Sequence, residues 1–543
     1  MTSIKNLEET NEQDEDRSIP PVPPTRYPQR PRTLLIFLLA WLVLAAIILA
    51  VRREAGFAVP LGSDAALWGL AAMQIEHLRS PGVTPLYPAL IAAVDTVSGA
   101  PAWWSGGVIS ALAAAAVPPA LLVILRRIGL GWAWAIPLAV APLLSPRLLV
   151  MALHLQPDSL TQLMILIVVA AGLRWDRTPS ASHAALWIGA ALALALTREH
   201  GVIVLPAIGL ILALRAGLPW WTAAVAAVGG GLALWFGSDA LPDRLRTPLQ
   251  SSPLGAGDFP LPEYMTHFRN ERGRPLREAW MTGDSFGFWR LIVGELLRRN
   301  AYHLIGIGVG AVGFIWQRRV SGLAALAPAL ALLFFWSHER HSAVLMPAAY
   351  VGVGLILFRL KTPGRLGMIA ACIAYAAWPA QEAGHAWQKL EGAAQHAEER
   401  RQLAAWMAQQ PGPWMLAGLD NEINLYLGWS RHVPLLAPDC AQKTWDGAGW
   451  NSLWVGPTPL MPAPMVPVYT LGHSSVFRLE GPEGLPRPCQ DVVLPETPMY
   501  IRGLRPVETS PRCAADVAVE TYRGRPPCAG PPMLDDEDGH LHR

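Results

Sequence analysis

Between residues 33 and 380 the chain returns again and again to apolar runs of about 20 residues, the length an α-helix needs to cross the hydrocarbon core of a bilayer. Lipid cannot satisfy a bare backbone, so only helices and closed barrels span it, and apolar runs without strand-like alternation select helices. The runs fall at 33–51, 104–125, 131–150, 158–173, 184–197, 201–216, 218–236, 300–317, 321–336, 342–358 and 366–380. The expected fold class is an α-helical, multi-pass integral membrane protein of about 11 transmembrane helices. Composition agrees, with 52% hydrophobic and 15% charged residues and a mean hydropathy of +0.28. A net charge of +2 gives no footing for a nucleic-acid partner.

The arginines orient the helices. With the N-terminus, which carries Arg26, Arg30 and Arg32, on the cytoplasmic side, alternate turns receive Arg126-Arg127, Arg174 with Arg177, Arg215, Arg318-Arg319, and Arg359 with Lys361 and Arg365. That is the bias the positive-inside rule requires. The same alternation places a first loop (52–102), an insert (237–299) and everything after 381 outside. Cysteines agree independently: Cys372 lies in an apolar run, while Cys440, Cys489, Cys513 and Cys528 all lie in the polar last third. An even set in one aqueous region suggests disulfides and an oxidising compartment.

The expected organisation is a disordered cytoplasmic tail (1–32), a membrane domain (33–380), a small extracytoplasmic α/β domain (381–480) and a Pro-rich, cysteine-containing tail (481–543). The α/β expectation rests on a helix-like 391–410 followed by strand-like runs at 433–436, 452–455, 466–471 and 475–479. No internal repeat is visible.

Charges gather at the outer ends of these helices beyond anything the topology requires. They are Arg52-Arg53, Asp64, Arg147, His154, Asp158, Arg198-Glu199-His200 and His338-Glu339-Arg340-His341. Ionisable groups at membrane depth cost about 2.5–3.5 kcal/mol each on insertion scales, so a one-sided set calls for a shared cavity. The first external loop opens on Gly62-Ser63-Asp64 and closes on Thr84-Pro85-Leu86-Tyr87-Pro88, with an amphipathic helix expected over 63–79 between them. Read locally, Asp64 is first a helix cap favoured by the dipole and second a general base that takes the proton of an attacking hydroxyl.

Several motifs recur in a set order. They are Asp64 and Pro85-Leu86-Tyr87-Pro88 in the first loop, then Leu155-Gln156-Pro157-Asp158-Ser159-Leu160. Leu196-Thr197-Arg198-Glu199-His200-Gly201 with Leu205-Pro206 follows, and finally Arg340-His341 with Leu345-Met346-Pro347. In this order they resemble the GT-C superfold of membrane glycosyltransferases, in particular relatives of the protein O-mannosyltransferases and aminoarabinose transferases. The resemblance implies a GT-C-like catalytic domain in a bacterial inner membrane, its active site outside the cytoplasm. It implies a polyprenyl-phosphate sugar donor and a lipid, glycan or protein acceptor. Asp64 would be the base of a single inverting displacement. Arg198, Arg340, His200 and His341 would hold the donor phosphate, and Asp158, His154, His338 and Tyr87 would orient substrate. One carboxylate suffices because a phosphate leaves as an anion, unlike the leaving group of a glycosidase with its carboxyl pair.

Two departures from the family pattern matter. Asp64 sits between Ser63 and Ala65 without a second acid, so neither a metal nor any other cofactor is expected. Glu199 stands beside Arg198, where it could pair with it. The alternatives are a lipid-linked oligosaccharide ligase or polymerase, and a membrane transporter. The latter would ordinarily show two similar halves.

Overall fold

The computed structural model describes residues 31–54, 63–76, 84–145, 151–198, 200–219, 221, 285–331, 339–377, 383–409, 414–417, 423, 425–426, 432–435, 451–457, 466–471 and 474–478. Among them four helices are long and apolar enough to cross a membrane: Leu35–Arg53, Ala102–Arg127, Asp158–Arg177 and His341–Arg359. Shorter apolar helices pack between them, and the protein is a mostly helical integral membrane protein. The expected span at 218–236, most of the insert and the cysteines Cys440, Cys489, Cys513 and Cys528 lie outside the described residues. Cys372 is a buried free thiol.

Helix α1 (Pro31–Glu54) lays Ala45 and Ile48 among Ala111 and Ala115 of α4 (Ala102–Arg127), and Trp41 Nε1 donates to Leu112 O at 3.0 Å. Its other face, with Leu38, Leu39, Leu42 and Val43, is exposed, as a lipid-facing stripe should be. The first external loop contains two helices, α2 (Ser63–Glu76) and α3 (Leu86–Ser98). The buried side of α2 carries Ala66, Trp68, Ala71 and Ala72, and Trp68 meets Tyr87 of α3 edge-on at 5.8 Å. Leu425, from the C-terminal part of the chain, closes over α2. A Cβ on Gly69 would come within 2.6 Å of Leu425 Cδ1.

Proline subdivides two of the expected spans. The run at 131–150 forms α5 (Trp132–Val140), with Pro137 inside it, and then a 3₁₀ turn over Ala141–Leu144 that has Pro142 in its first positions. The run at 321–336 splits into α10 (Ser321–Leu326) and α11 (Pro328–Ala331), because Pro328 supplies no N–H to continue the first helix. Between these lie α6 (Asp158–Arg177), α7 (Ala181–Thr197), α8 (His200–Arg215) and α9 (Ser285–Trp316). Helix α9 starts well before the expected 300. The short α12 (Glu339–Ala343) precedes α13 (Met346–Arg359), and Pro347 occupies the first turn of α13.

Glycines let α9 and α13 touch backbone to backbone. A Cβ at Gly313 would sit 1.9 Å from Gly352 O, and one at Gly352 would sit 2.0 Å from Gly310 O. Membrane helices have no hydrophobic drive to associate, so close approach through small residues supplies the dispersion contact instead. At the other end of α6, Asp176 accepts a hydrogen bond from Ser321 Oγ and pairs with Arg215 at 3.6 Å, which ties α6, α8 and α10 together.

After α14 (Thr362–Ala377) and α15 (Ala383–Gln409) come five short strands: β1 (Trp414–Ala417), β2 (His432–Leu435), β3 (Asn451–Pro457), β4 (Val466–Leu471) and β5 (Ser474–Arg478). They pair in the order β2-β1-β3-β5-β4. Strand β1 runs parallel to β2 and β3, and the β3–β5 and β4–β5 pairs are antiparallel. Trp406 of α15 stacks on Tyr469 of β4 with ring centroids 4.8 Å apart, beside Leu403, Met407 and Ile423.

Candidate functional site

Helix α7 ends at Thr197, and Arg198 continues in extended geometry (φ −158°, ψ 154°) before α8 begins at His200. A glycine is needed at 201 because a Cβ there would lie 2.0 Å from Ala195 N, on the backbone of α7. The turn therefore folds back tightly and drives Arg198 inward, where it is only 2% exposed. This gives a steric reason for the Thr-Arg-x-x-Gly pattern read in the sequence.

Arg198 meets Asp158, the first residue of α6. Nη1 and Oδ1 are 2.6 Å apart, with the side chains 3% and 1% exposed. Glu199, the neighbour that could have paired with Arg198, lies outside the described residues. His341 of α12 approaches from the other side, its Nδ1 3.4 Å from Arg198 Nη2. A guanidinium can only donate, so Nδ1 must accept, and the imidazole carries its proton on Nε2. Asp158, Arg198 and His341 thus converge from three helices.

The end of the first loop is fastened to the same place. Thr84 Oγ1 donates to Thr197 O at 2.8 Å, next to Arg198. Three residues on, Tyr87 is fully buried, with its hydroxyl donating to Gly106 O at 2.9 Å and 2.7 Å from Ser110 Oγ. Ser110 in turn donates to Gln156 O at 3.0 Å, in the turn that leads into Asp158. Two hydroxyl protons serve three contacts, so this chain has no donor to spare. Burial pushes the Tyr87 hydroxyl well above the usual phenol range, and it stays neutral. His154 stands half-buried in the same turn, its carbonyl accepting from Gln156 N–H at 3.0 Å.

Of the expected site residues, Asp158, Arg198 and His341 are joined directly, and Tyr87 and His154 are linked through Ser110 and Gln156 in the turn that leads into Asp158. Asp64 is the second residue of α2, His200 opens α8 and Arg340 lies in α12, but their side chains lie outside the described residues, as does His338 entirely. Residues that the sequence reading had not assigned to the site also take part. Ser110 and Thr84 fasten the loop. Beyond His341, Ser342 donates to Asn300 Oδ1 at 2.6 Å and lies 2.9 Å from His303 Nδ1, which anchors α12 on α9. Asn300 and His303, at the start of the apolar run 300–317, were the available signal. Arg52, at the end of α1, is 2% exposed and faces α4 at Gly107.

Compared by sequence, the chain matches no family profile and no curated protein. Among solved structures it is similar to ArnT from Cupriavidus metallidurans bound to undecaprenyl phosphate, at 14% identity and a TM-score of 0.46 over 82% of this chain and 97% of that one. It is also similar to the Archaeoglobus fulgidus oligosaccharyltransferase in its apo form, at 12% identity and a TM-score of 0.43 over 78% of this chain and 69% of that one. At this distance neither carries an argument about what this chain binds.

Proposed function

We propose that the protein is a membrane glycosyltransferase. It moves a sugar from a polyprenyl-phosphate-linked donor to an acceptor at the extracytoplasmic face. One observation carries the reading: Asp158, Arg198 and His341, remote in sequence, meet in a buried polar site to which the first loop is tied through Thr84. That loop contains the helix on which Asp64 stands. Burying a charge pair of this kind in a membrane protein is costly, so a use at the site is the economical reading.

In the proposed reaction Asp64 takes the proton of an acceptor hydroxyl as its oxygen bonds to the anomeric carbon. The bond from that carbon to the donor phosphate breaks on the opposite face, which inverts the configuration. The phosphate leaves as an anion and needs cations rather than a proton. Arg198 and Arg340 would supply the positive charge, His200 and His341 would donate ring N–H groups to it, and Asp158 would hold Arg198 in place. Tyr87, His154 and His338 shape the sugar and acceptor side.

The test is Asp64→Asn in the purified full-length protein. The variant is expected to insert, fold and bind polyprenyl phosphate normally while transfer from a polyprenyl-phosphate sugar falls by at least about 10²-fold, the scale of general-base catalysis. Turnover at the wild-type rate would remove Asp64 from the mechanism. Uptake of sugar into proteoliposomes without any transfer would replace the reading with transport.

A further inference from the structure

Arg52 differs from Arg198, which faces a carboxylate. Its guanidinium is buried, yet among the described residues Nε, Nη1 and Nη2 make no hydrogen bond. It lies against α4 at a place only glycine permits, since a Cβ at Gly107 would fall 1.5 Å from Nη2 and 1.7 Å from Cζ. The neighbouring Gly106 carbonyl already accepts from Tyr87, and Tyr87 is close enough to Arg52 to feel its charge. At neutral pH an arginine does not escape the cost of burial by losing its proton. Among the described residues nothing answers the five donors of this desolvated cation, and an anionic ligand would.

We infer that Arg52, seated on Gly107 of α4, receives an anionic oxygen group, a phosphate or phosphate-like oxyanion, of a bound substrate. Its planar fork suits two oxygens of one phosphate. The group could belong to the donor lipid or to a soluble acceptor, and the chemistry is common to both. The inference draws on the proposed function only for the name of the lipid. The need for an anion comes from Arg52 itself.

The experiment measures binding and thermal unfolding of the full chain in detergent, with undecaprenyl phosphate, undecaprenol and inorganic phosphate as probes. The proteins are wild type, Arg52→Lys and Arg52→Met. In the donor arm, undecaprenyl phosphate binds wild type and loses about ten- to a hundredfold in affinity to Arg52→Met. Arg52→Lys retains part of that affinity, and undecaprenol is indifferent to the change. In the soluble arm, the dependence on Arg52 appears with inorganic phosphate and not with the lipid. A second measurement separates binding from folding. Without any anion Arg52→Met is expected to melt higher than wild type, because an uncompensated buried charge has been removed. Equal affinity of all three proteins for both phosphates, or a lower melting temperature for anion-free Arg52→Met, would overturn the inference. A wild type that ignores undecaprenyl phosphate but binds inorganic phosphate through Arg52 would sink the proposed donor and leave the anion site standing.

Discussion

The Asp158–Arg198 pair is the sharpest quantity in the structure to test. Its atoms are 2.6 Å apart and its side chains 3% and 1% exposed, so neither partner can turn to water when the other is lost. Removing one member of a buried pair costs about 3–5 kcal/mol, because the survivor is left charged and uncompensated. Removing both leaves two neutral groups and costs far less. Asp158→Asn and Arg198→Gln should therefore each lower the melting temperature of the purified protein, by roughly 5–10 °C. The double variant should recover most of that loss. Thermal unfolding of the four proteins in one detergent, followed by tryptophan fluorescence, closes the cycle. Transfer activity should be absent from the double variant, since it regains the fold but lacks the cation proposed to hold the donor phosphate. Strict additivity, with the double variant losing the sum of the single losses, would show that the two groups do not support one another and refute the reasoning.

Three further outcomes follow from the geometry. Gly313→Ala puts a methyl group where Gly352 O now stands, 1.9 Å away, so α9 and α13 must separate; the variant should unfold at lower temperature, and a wild-type melting curve would contradict the close crossing. Leu425→Ala removes the side chain that closes over Gly69 of α2; turnover should fall while α15 keeps its helical content, whereas unchanged turnover would show that α2 needs no support from the C-terminal region. Glu398 is held below the usual carboxylate range by its hydrogen bonds from Arg401, at an exposed position on α15. A depressed carboxyl stabilises above its unfolded pKa of about 4.3 and loses that contribution as pH falls through the lower folded value. Glu398→Gln should therefore cost only about 0.2–1 kcal/mol at pH 7 and nothing at pH 2, as read from melting curves at the two pH values.

Hydropathy alone made this a membrane protein. Helix formation depends on neighbours in the chain, so the runs at 104–125, 158–173 and 184–197 mark α4, α6 and α7 to within a few residues. The one-sided charges were legible too, because a charge at membrane depth stands out against any apolar background. Gly201 was visible as a motif, but its reason was not, since the clash it avoids is with a neighbouring helix.

What tertiary structure decided was partnership. Sequence marks which helix ends carry charge and says little about how each helix is rotated against the others. Only packing could show that Arg198 meets Asp158, 40 positions away in the chain, or that a C-terminal leucine closes over the first loop. Arg52 is the plainest case. In the sequence it is one of two adjacent arginines at a helix end, suited to water. In the fold the turn of α1 against α4 leaves Arg53 exposed and places Arg52 on Gly107, out of solvent and without a hydrogen-bond partner among the described residues. Hydropathy and charge pattern are local and survive in the linear chain, whereas burial and pairing depend on which faces of distant helices come together.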